Sequence, residues 1–352
     1  MKVIKPTFLI NKDQCRKNIA KISSKAQKYK LQFRPHFKTH QSAEIGKLYS
    51  EAGITKITVS SIDMAMYFMN NGWQDITIAF PVNVLEIDVI NTMAKNIRLN
   101  LLVLDEHSIT FLDENLKSNV NIFIKIDTGY HRSGIDYQNT SKIDELISLI
   151  SDSEKMNFNG FLTHAGHTYN ATSVDEILNI HDQTICRMKK LKSHFNIHNP
   201  MISTGNTPSC SLSENFEGVD EIRPGNFVYY DLTQNYLGSC SEDEISVALA
   251  CPIVDINAER NEVIIYGGGV HLSKEYLEID GDKIFGKVVI LKDCGWSNSL
   301  DNCFVKKLSQ EHGTLHITDE YIDIFNIGDI IGILPIHSCM TANLLKENTV
   351  II

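Results

Sequence analysis

The sequence predicts an α/β protein, a (β/α)8 TIM-like barrel followed by a C-terminal, mainly β domain. Three observations lead there. From residue 11 to about 220, short β-branched or apolar runs alternate with amphipathic stretches of helical length, and strands interleaved with such helices pair in parallel. Eight such runs occur, the number of a closed barrel rather than of an open doubly wound sheet. After Arg223-Pro224-Gly225 the helical pattern gives way to β-like segments divided by turns.

The eight runs are LQFR (31–34), TKITVS (55–60), DITIAF (75–80), IRLNLLVL (97–104), VNIFIKID (120–127), FNGFLT (158–163), PMIS (200–203) and VDEI (219–222). Helical patterns at 13–29, 42–52, 83–95, 139–151 and 173–194 lie between them. Beyond 224 the expected β segments are 226–230, 245–256, 261–266, 287–292, 314–318 and 330–335, with turns at Gly267-Gly268-Gly269 and Asn326-Ile327-Gly328-Asp329. We therefore expect a barrel over 11–223 and a β domain over 224–352, with TFLI at 7–10 available to complete the second.

Composition narrows the function. A chain of 352 residues with 43% hydrophobic and 22% charged residues buries a sizeable core. Its formal charge of −10 argues against a nucleic-acid partner, whose phosphates need clustered Lys and Arg; RMKKLKSH (187–194) reads as a solvated helix face. The opening MKVIKPTFLINKDQ lacks a leader pattern, and no run of ~18 apolar residues follows, so a cytoplasmic protein without a membrane partner is expected. Eight cysteines scattered without CxxC spacing argue for thiols rather than a disulfide framework.

Barrel enzymes place catalytic groups at the C-terminal ends of strands. In LQFRPHFKTHQ (31–41), Lys38 lies just beyond the first strand; Arg132 lies beyond the fifth, Tyr169 beyond the sixth, and Thr204 to Thr207 beyond the seventh. A lysine there is either an exposed strand-end cation or, once desolvated, an amine of lowered pKa able to form a Schiff base. STGNTPSC (203–210) is either a plain turn or a loop whose freed N–H groups cradle a phosphate, and its place after strand seven favours the phosphate. IKIDTGYHRSGI (124–135) and THAGHTYN (163–170) offer His131, Arg132, His164, His167 and Tyr169 to a ligand, with core roles as the alternative for His164 and His167. In ILPIHSCMTANL (333–344), read as a strand, His337 and Cys339 share one side and present imidazole and thiolate together. Both ligate zinc, which takes about four ligands, so the pair leaves positions open; Glu311 and His312 are available to add to it or support it.

RPHFKTH, IDTGYHRSGI, THAGHTY, EIRPGNFVYYD (221–231), EHGTLHI and HSCMTANL, in that order, span nearly the whole chain. Together they resemble the D-threonine aldolase and D-serine dehydratase family, pyridoxal-phosphate enzymes with an alanine-racemase-like barrel and a C-terminal β domain. The resemblance implies that Lys38 is both the catalytic residue and the covalent anchor of the cofactor, and that Gly205, Asn206 and Thr207 lie at its phosphate. It implies that Arg132 and Tyr169 contact the ring, and it adds His164, Thr204 and Tyr229 to the cofactor-binding set. It further implies that His337 and Cys339 bind a divalent metal, zinc or manganese, and that the protein is a homodimer acting on a small amino-acid substrate. The expected activity is a lyase reaction on a D-β-hydroxy amino acid, by dehydration or retro-aldol cleavage. YGGGVHLSKE (266–275) departs from the family's Asp-Ala-Gly form and leaves the substrate open. The alternatives are an amino-acid racemase of the same fold, a non-catalytic pyridoxal-phosphate-binding protein and a metal-dependent hydrolase.

Overall fold

A computed structural model describes residues 3–352 of the chain. Its contacts divide it into two units, one made of residues 20–38 and 42–225, the other of residues 3–19, 39–41 and 226–352.

The first unit is built on parallel strands in the places the periodicity predicts. They are β2 (Gln32–Phe33), β3 (Ile57–Val59), β4 (Asp75–Pro81), β5 (Arg98–Val103), β6 (Val120–Asp127), β8 (Met156–Leu162), β9 (Met201–Thr204) and β10 (Glu221–Ile222), with the short β7 (Ile135–Asp136) beside β6. Their order is β2-β10-β9-β8-β6-β5-β4-β3, parallel throughout. A parallel bridge from His36, three residues past β2, to Thr58 in β3 closes the ring. Leu102, Phe123 and Leu162 from neighbouring strands form one buried cluster, with Ala79 and Met201 packed on it.

The helices of this unit are α2 (Ala43–Glu51), α3 (Ile62–Asn70), α4 (Ile87–Asn96), α5 (Glu106–Asn115), α6 (Thr140–Asp152), α7 (Val174–His194) and α8 (Thr207–Leu212). Their starts are written in side chains that accept an otherwise unpaired N–H: Ser42, Ser61, Asp105, Asn139, Ser173 and Asn206 each cap the helix that follows. α3, α5 and α8 are absent from the sequence reading.

The second unit is antiparallel. β11 (Val247–Asn257), β12 (Glu262–Tyr266), β15 (Gly286–Val289), β18 (Phe304–Leu308), β19 (His312–His316) and β20 (Ile330–Pro335) run in the order β12-β19-β18-β15-β20-β11. β11 pairs β12 as well, so the sheet closes on itself. β11 is also flanked by β1 (Thr7–Ile10), which pairs in parallel with β21 (Thr349–Ile351). Two small hairpins, β13 (Leu277–Ile279) with β14 (Asp282–Ile284) and β16 (Leu291–Lys292) with β17 (Gly295–Trp296), complete it.

One expected strand is absent. NFVYY at 226–230 forms a 3-10 turn at Asn226–Val228, and Tyr230 takes a φ of 49°. The reason is the next residue, Asp231, whose carboxylate caps a short helix, α9 (Leu232–Tyr236), and draws Asn226 toward it at 2.6 Å.

Candidate active site

Lys38 leaves the first unit from a turn that begins at Phe37. The backbone before it is pinned: His36 N–H donates to the Pro224 carbonyl (2.9 Å) and Phe37 N–H to the Thr58 carbonyl (2.8 Å). The Phe37 ring is fully buried, 4.9 Å from the rings of Tyr49, Phe68 and Trp73. His36 Nδ1 accepts the Lys38 N–H at 3.3 Å, so this histidine shapes the turn. The Lys38 side chain itself is exposed.

The ends of β6, β8, β9 and β10 supply the rest of the barrel's site. His164, two residues past β8, is half-buried, and its Nδ1 donates to the Gly205 carbonyl at 3.1 Å. The protein packed round the ring pushes its pKa down to about 3, and the charges of Lys38, Arg132 and Arg223 add to the effect. The imidazole is therefore neutral, with Nδ1 protonated and Nε2 a bare acceptor. Three of the groups named as ligand candidates, Lys38, Arg132 and His164, thus act on one another electrostatically.

Two cations were missed. Lys125, inside β6, is buried, and burial followed by the charges of Arg223 and Arg132 pushes its pKa down to about 8. Arg223, directly after β10, is also buried; it donates from Nε to Ser203 Oγ (2.7 Å) and from Nη2 to the Thr163 carbonyl (2.5 Å). Both were visible as misfits, since a charged residue inside an apolar strand run or at its edge is seldom buried without a task. The nearby carboxylates are already committed. Glu221 bonds Arg34 and Ser203, each at 2.7 Å, and Asp127 receives the N–H groups of Gly129, Tyr130 and His131.

The loop after β9 is built for close approach. Gly205 has φ of 144°, and a Cβ there would lie 2.6 Å from the Arg223 backbone nitrogen. Thr204 is buried and its carbonyl takes the Arg223 N–H at 2.9 Å. Asn206 spends its side chain capping α8 and leaves its backbone to the loop. The Tyr169 hydroxyl accepts the Thr207 N–H at 3.3 Å, and its ring is 6.5 Å from that of His164. A surplus of cations beside a glycine-tight loop suits an anionic, phosphate-bearing cofactor. Tyr229 belongs to the second unit and is fully buried, with its ring edge-on to Phe8 at 5.8 Å.

The thiol–imidazole pair belongs to the second unit and to a helix, which corrects the strand expected there. β20 stops at Pro335; His337 is the N-cap of α12 (Ser338–Leu344), and Cys339 is in its first turn. The turn is set by Asp231, whose Oδ2 receives the Ser338 N–H (2.9 Å) and hydroxyl (3.1 Å). The two side chains nevertheless meet: a hydrogen bond to Cys339 and one to Glu275, working against burial, raise the His337 pKa to about 11. Cys339 Sγ also bonds Thr39 Oγ1 at 3.3 Å. Among the described residues no three His, Cys, Asp or Glu side chains are placed to hold an ion together. Glu311 instead faces His271 at 3.7 Å, and His312 is exposed. An imidazole and a thiol that meet are of the side-chain types that ligate zinc.

A parallel barrel with a lysine at a strand end, in one chain with an antiparallel unit that carries a His–Cys pair, is the organisation of an alanine-racemase-like enzyme. Residues 10–233 match the alanine racemase N-terminal domain, and residues 246–351 match the serine dehydratase domain. The chain belongs to that family, in its D-serine dehydratase and D-threonine aldolase branch, and is a pyridoxal-phosphate-class lyase. It is 32% identical to a D-serine dehydratase of Dictyostelium discoideum, over 98% of this chain and 93% of the relative. Identity to a D-threo-3-hydroxyaspartate dehydratase of Delftia sp. strain HT23 is 24%, over 96% and 91%. A solved structure of a D-threo-3-hydroxyaspartate dehydratase mutant in its metal-free form superposes with a TM-score of 0.89 at 22% identity, covering 97% of this chain and 93% of that one.

Proposed function

We propose that this protein is a pyridoxal-phosphate- and divalent-metal-dependent lyase of D-β-hydroxy amino acids such as D-serine, D-threonine or D-3-hydroxyaspartate. The observation that carries the reading is the loop after β9, where Gly205 packs against the backbone of the buried Arg223 and its carbonyl accepts from His164 Nδ1. In this reading Lys38 anchors the cofactor, and its amine, freed when substrate binds, removes the α-proton. The loop of Gly205, Asn206 and Thr207 lies at the phosphate with Thr204 beside it, while Arg132, His164 and Tyr169 orient the ring. Pyridoxal phosphate, when bound, supplies an electron sink for the bond broken at Cα. A divalent ion on His337 and Cys339 supplies a Lewis acid for the substrate's β-hydroxyl.

Dehydration is the preferred branch, supported by the serine dehydratase match and the D-serine dehydratase relative. The mixed imidazole–thiolate pair favours zinc over manganese, because thiolate is a soft ligand. Exposed apolar side chains on the second unit, Tyr266, Val270, Tyr276, Met340 and Leu344, support a homodimer. Eight free thiols support a reducing, cytoplasmic setting, and among the described residues no helix is long and apolar enough to cross a membrane.

The test is product analysis on the three D-amino acids with and without chelator. A 2-oxo acid with ammonia, lost on chelation, is the expected result; glycine with an aldehyde would move the protein to the aldolase branch. Chelator-insensitive interconversion of D- and L-alanine would overturn the proposal in favour of a racemase.

A further inference from the structure

His337 has a second partner that no sequence motif announced. Its Nδ1 lies 2.6 Å from Glu275 Oε2. Glu275 reaches it from the loop after α10 (Gly269–Leu272), which turns at Ser273 with φ of 68° and ψ of −177°. That backbone region is essentially reserved for glycine, and a non-glycine residue held there marks a loop whose path is set by its surroundings. Ser273 Oγ accepts the Glu275 N–H at 3.3 Å and fixes the residue past the strained turn. Upstream, the loop is anchored by close packing: a Cβ on Gly267 would collide with Cys251 Sγ, and one on Gly268 with the Gln310 carbonyl oxygen.

We infer that Glu275 is the positioning residue of the metal pair: its carboxylate accepts Nδ1–H of His337, fixing the tautomer and aiming Nε2, beside Cys339, at the ion. A carboxylate behind a ligating imidazole holds the ring's rotation and raises its basicity as a donor. The inference rests on the reading that His337 and Cys339 hold a divalent ion.

The experiment measures zinc affinity of the metal-stripped full-length protein by competition with a chromophoric chelator, for wild type and for Glu275→Gln, Glu275→Ala and Cys339→Ala. Gln keeps an acceptor for Nδ1–H and loses the charge, whereas Ala loses both. The expected order is wild type tightest, then Glu275→Gln, then Glu275→Ala, with the last weaker by about 10- to 100-fold at an unchanged melting temperature. A purely structural role for Glu275 would move the melting temperature and leave zinc affinity alone. In ¹⁵N-histidine spectra of the zinc-loaded wild type, the metal-bound nitrogen of His337 is expected to be Nε2. Wild-type affinity in both Glu275 variants, or metal on Nδ1, overturns the inference while the metal pair stands. Should Cys339→Ala bind zinc as tightly as wild type, the pair itself is misassigned, and the role of Glu275 falls with it.

Discussion

His164 is the side chain on which environment acts most visibly, and its neutrality has a pH signature. The unfolded chain takes up a proton on this residue near 6.5, whereas the folded protein resists it down to about 3. Between those values the unfolded state binds more protons, so stability falls as the pH is lowered through that window. In His164→Gln, which cannot titrate, the cofactor-free protein is expected to show a shallower loss of stability between pH about 4 and about 7, read from urea midpoints. An unchanged slope would mean the imidazole is already protonated when folded, and its Nε2 could then no longer accept from a ligand. The places of Lys38, His164 and Gly205 at strand ends were legible in the sequence because each follows a recognisable strand. Glu275 was not, because the backbone that carries it to His337 depends on a strained turn that no residue pattern predicts.

At the scale of elements, the His–Cys pair shows where an expected proximity emerged from an incorrect local structure. Read as a strand, the pair met because i and i+2 share a face; in the structure it meets at the start of α12, held there by Asp231. This buried carboxylate receives Asn226 Nδ2 (2.6 Å), the Gln234 N–H (3.0 Å) and both donors of Ser338, and so joins the turn at 226–230, α9 and α12. Ser338 lies 107 residues from Asp231 along the chain, beyond the reach of any local pattern. Asp231→Ala leaves these buried donors unmatched and is expected to lower stability by about 3 kcal/mol, and to weaken zinc binding because the first turn of α12 loses its anchor. Asp231→Asn retains one acceptor and should do less of both. Denaturant unfolding paired with chelator competition checks this; full stability in Asp231→Ala would show that α12 starts without the clamp.

For the whole barrel, the eight-run count was legible and all eight strands formed, but the seam was not. β2 has two residues and pairs with β10 over two positions only, with one further bridge to β3. Arg34, the residue after β2, closes the gap with its side chain. It contacts Glu221 of β10 (2.7 Å), Asp75 of β4 (2.6 Å) and the Ile57 carbonyl of β3 (3.5 Å), although it is only 3% exposed. Burial opposes its charge, yet the two carboxylates outweigh burial and hold its pKa above the ordinary value. Asp75 is held below the usual carboxylate range by the same contact, against its own burial, so its contribution is present at neutral pH and lost as the pH falls through that range. Removing one member of such a network is worse than removing two, because Glu221 is fully buried and would be left as an uncompensated charge. Arg34→Met is therefore expected to destabilise the cofactor-free protein by about 3–5 kcal/mol, and adding Glu221→Gln should recover the larger part. If the second change instead deepens the loss, Glu221 is balanced from elsewhere. The nearest candidate is Arg223, linked to it through Ser203 Oγ, and the charge that closes the barrel would then be the same one that tunes its catalytic end.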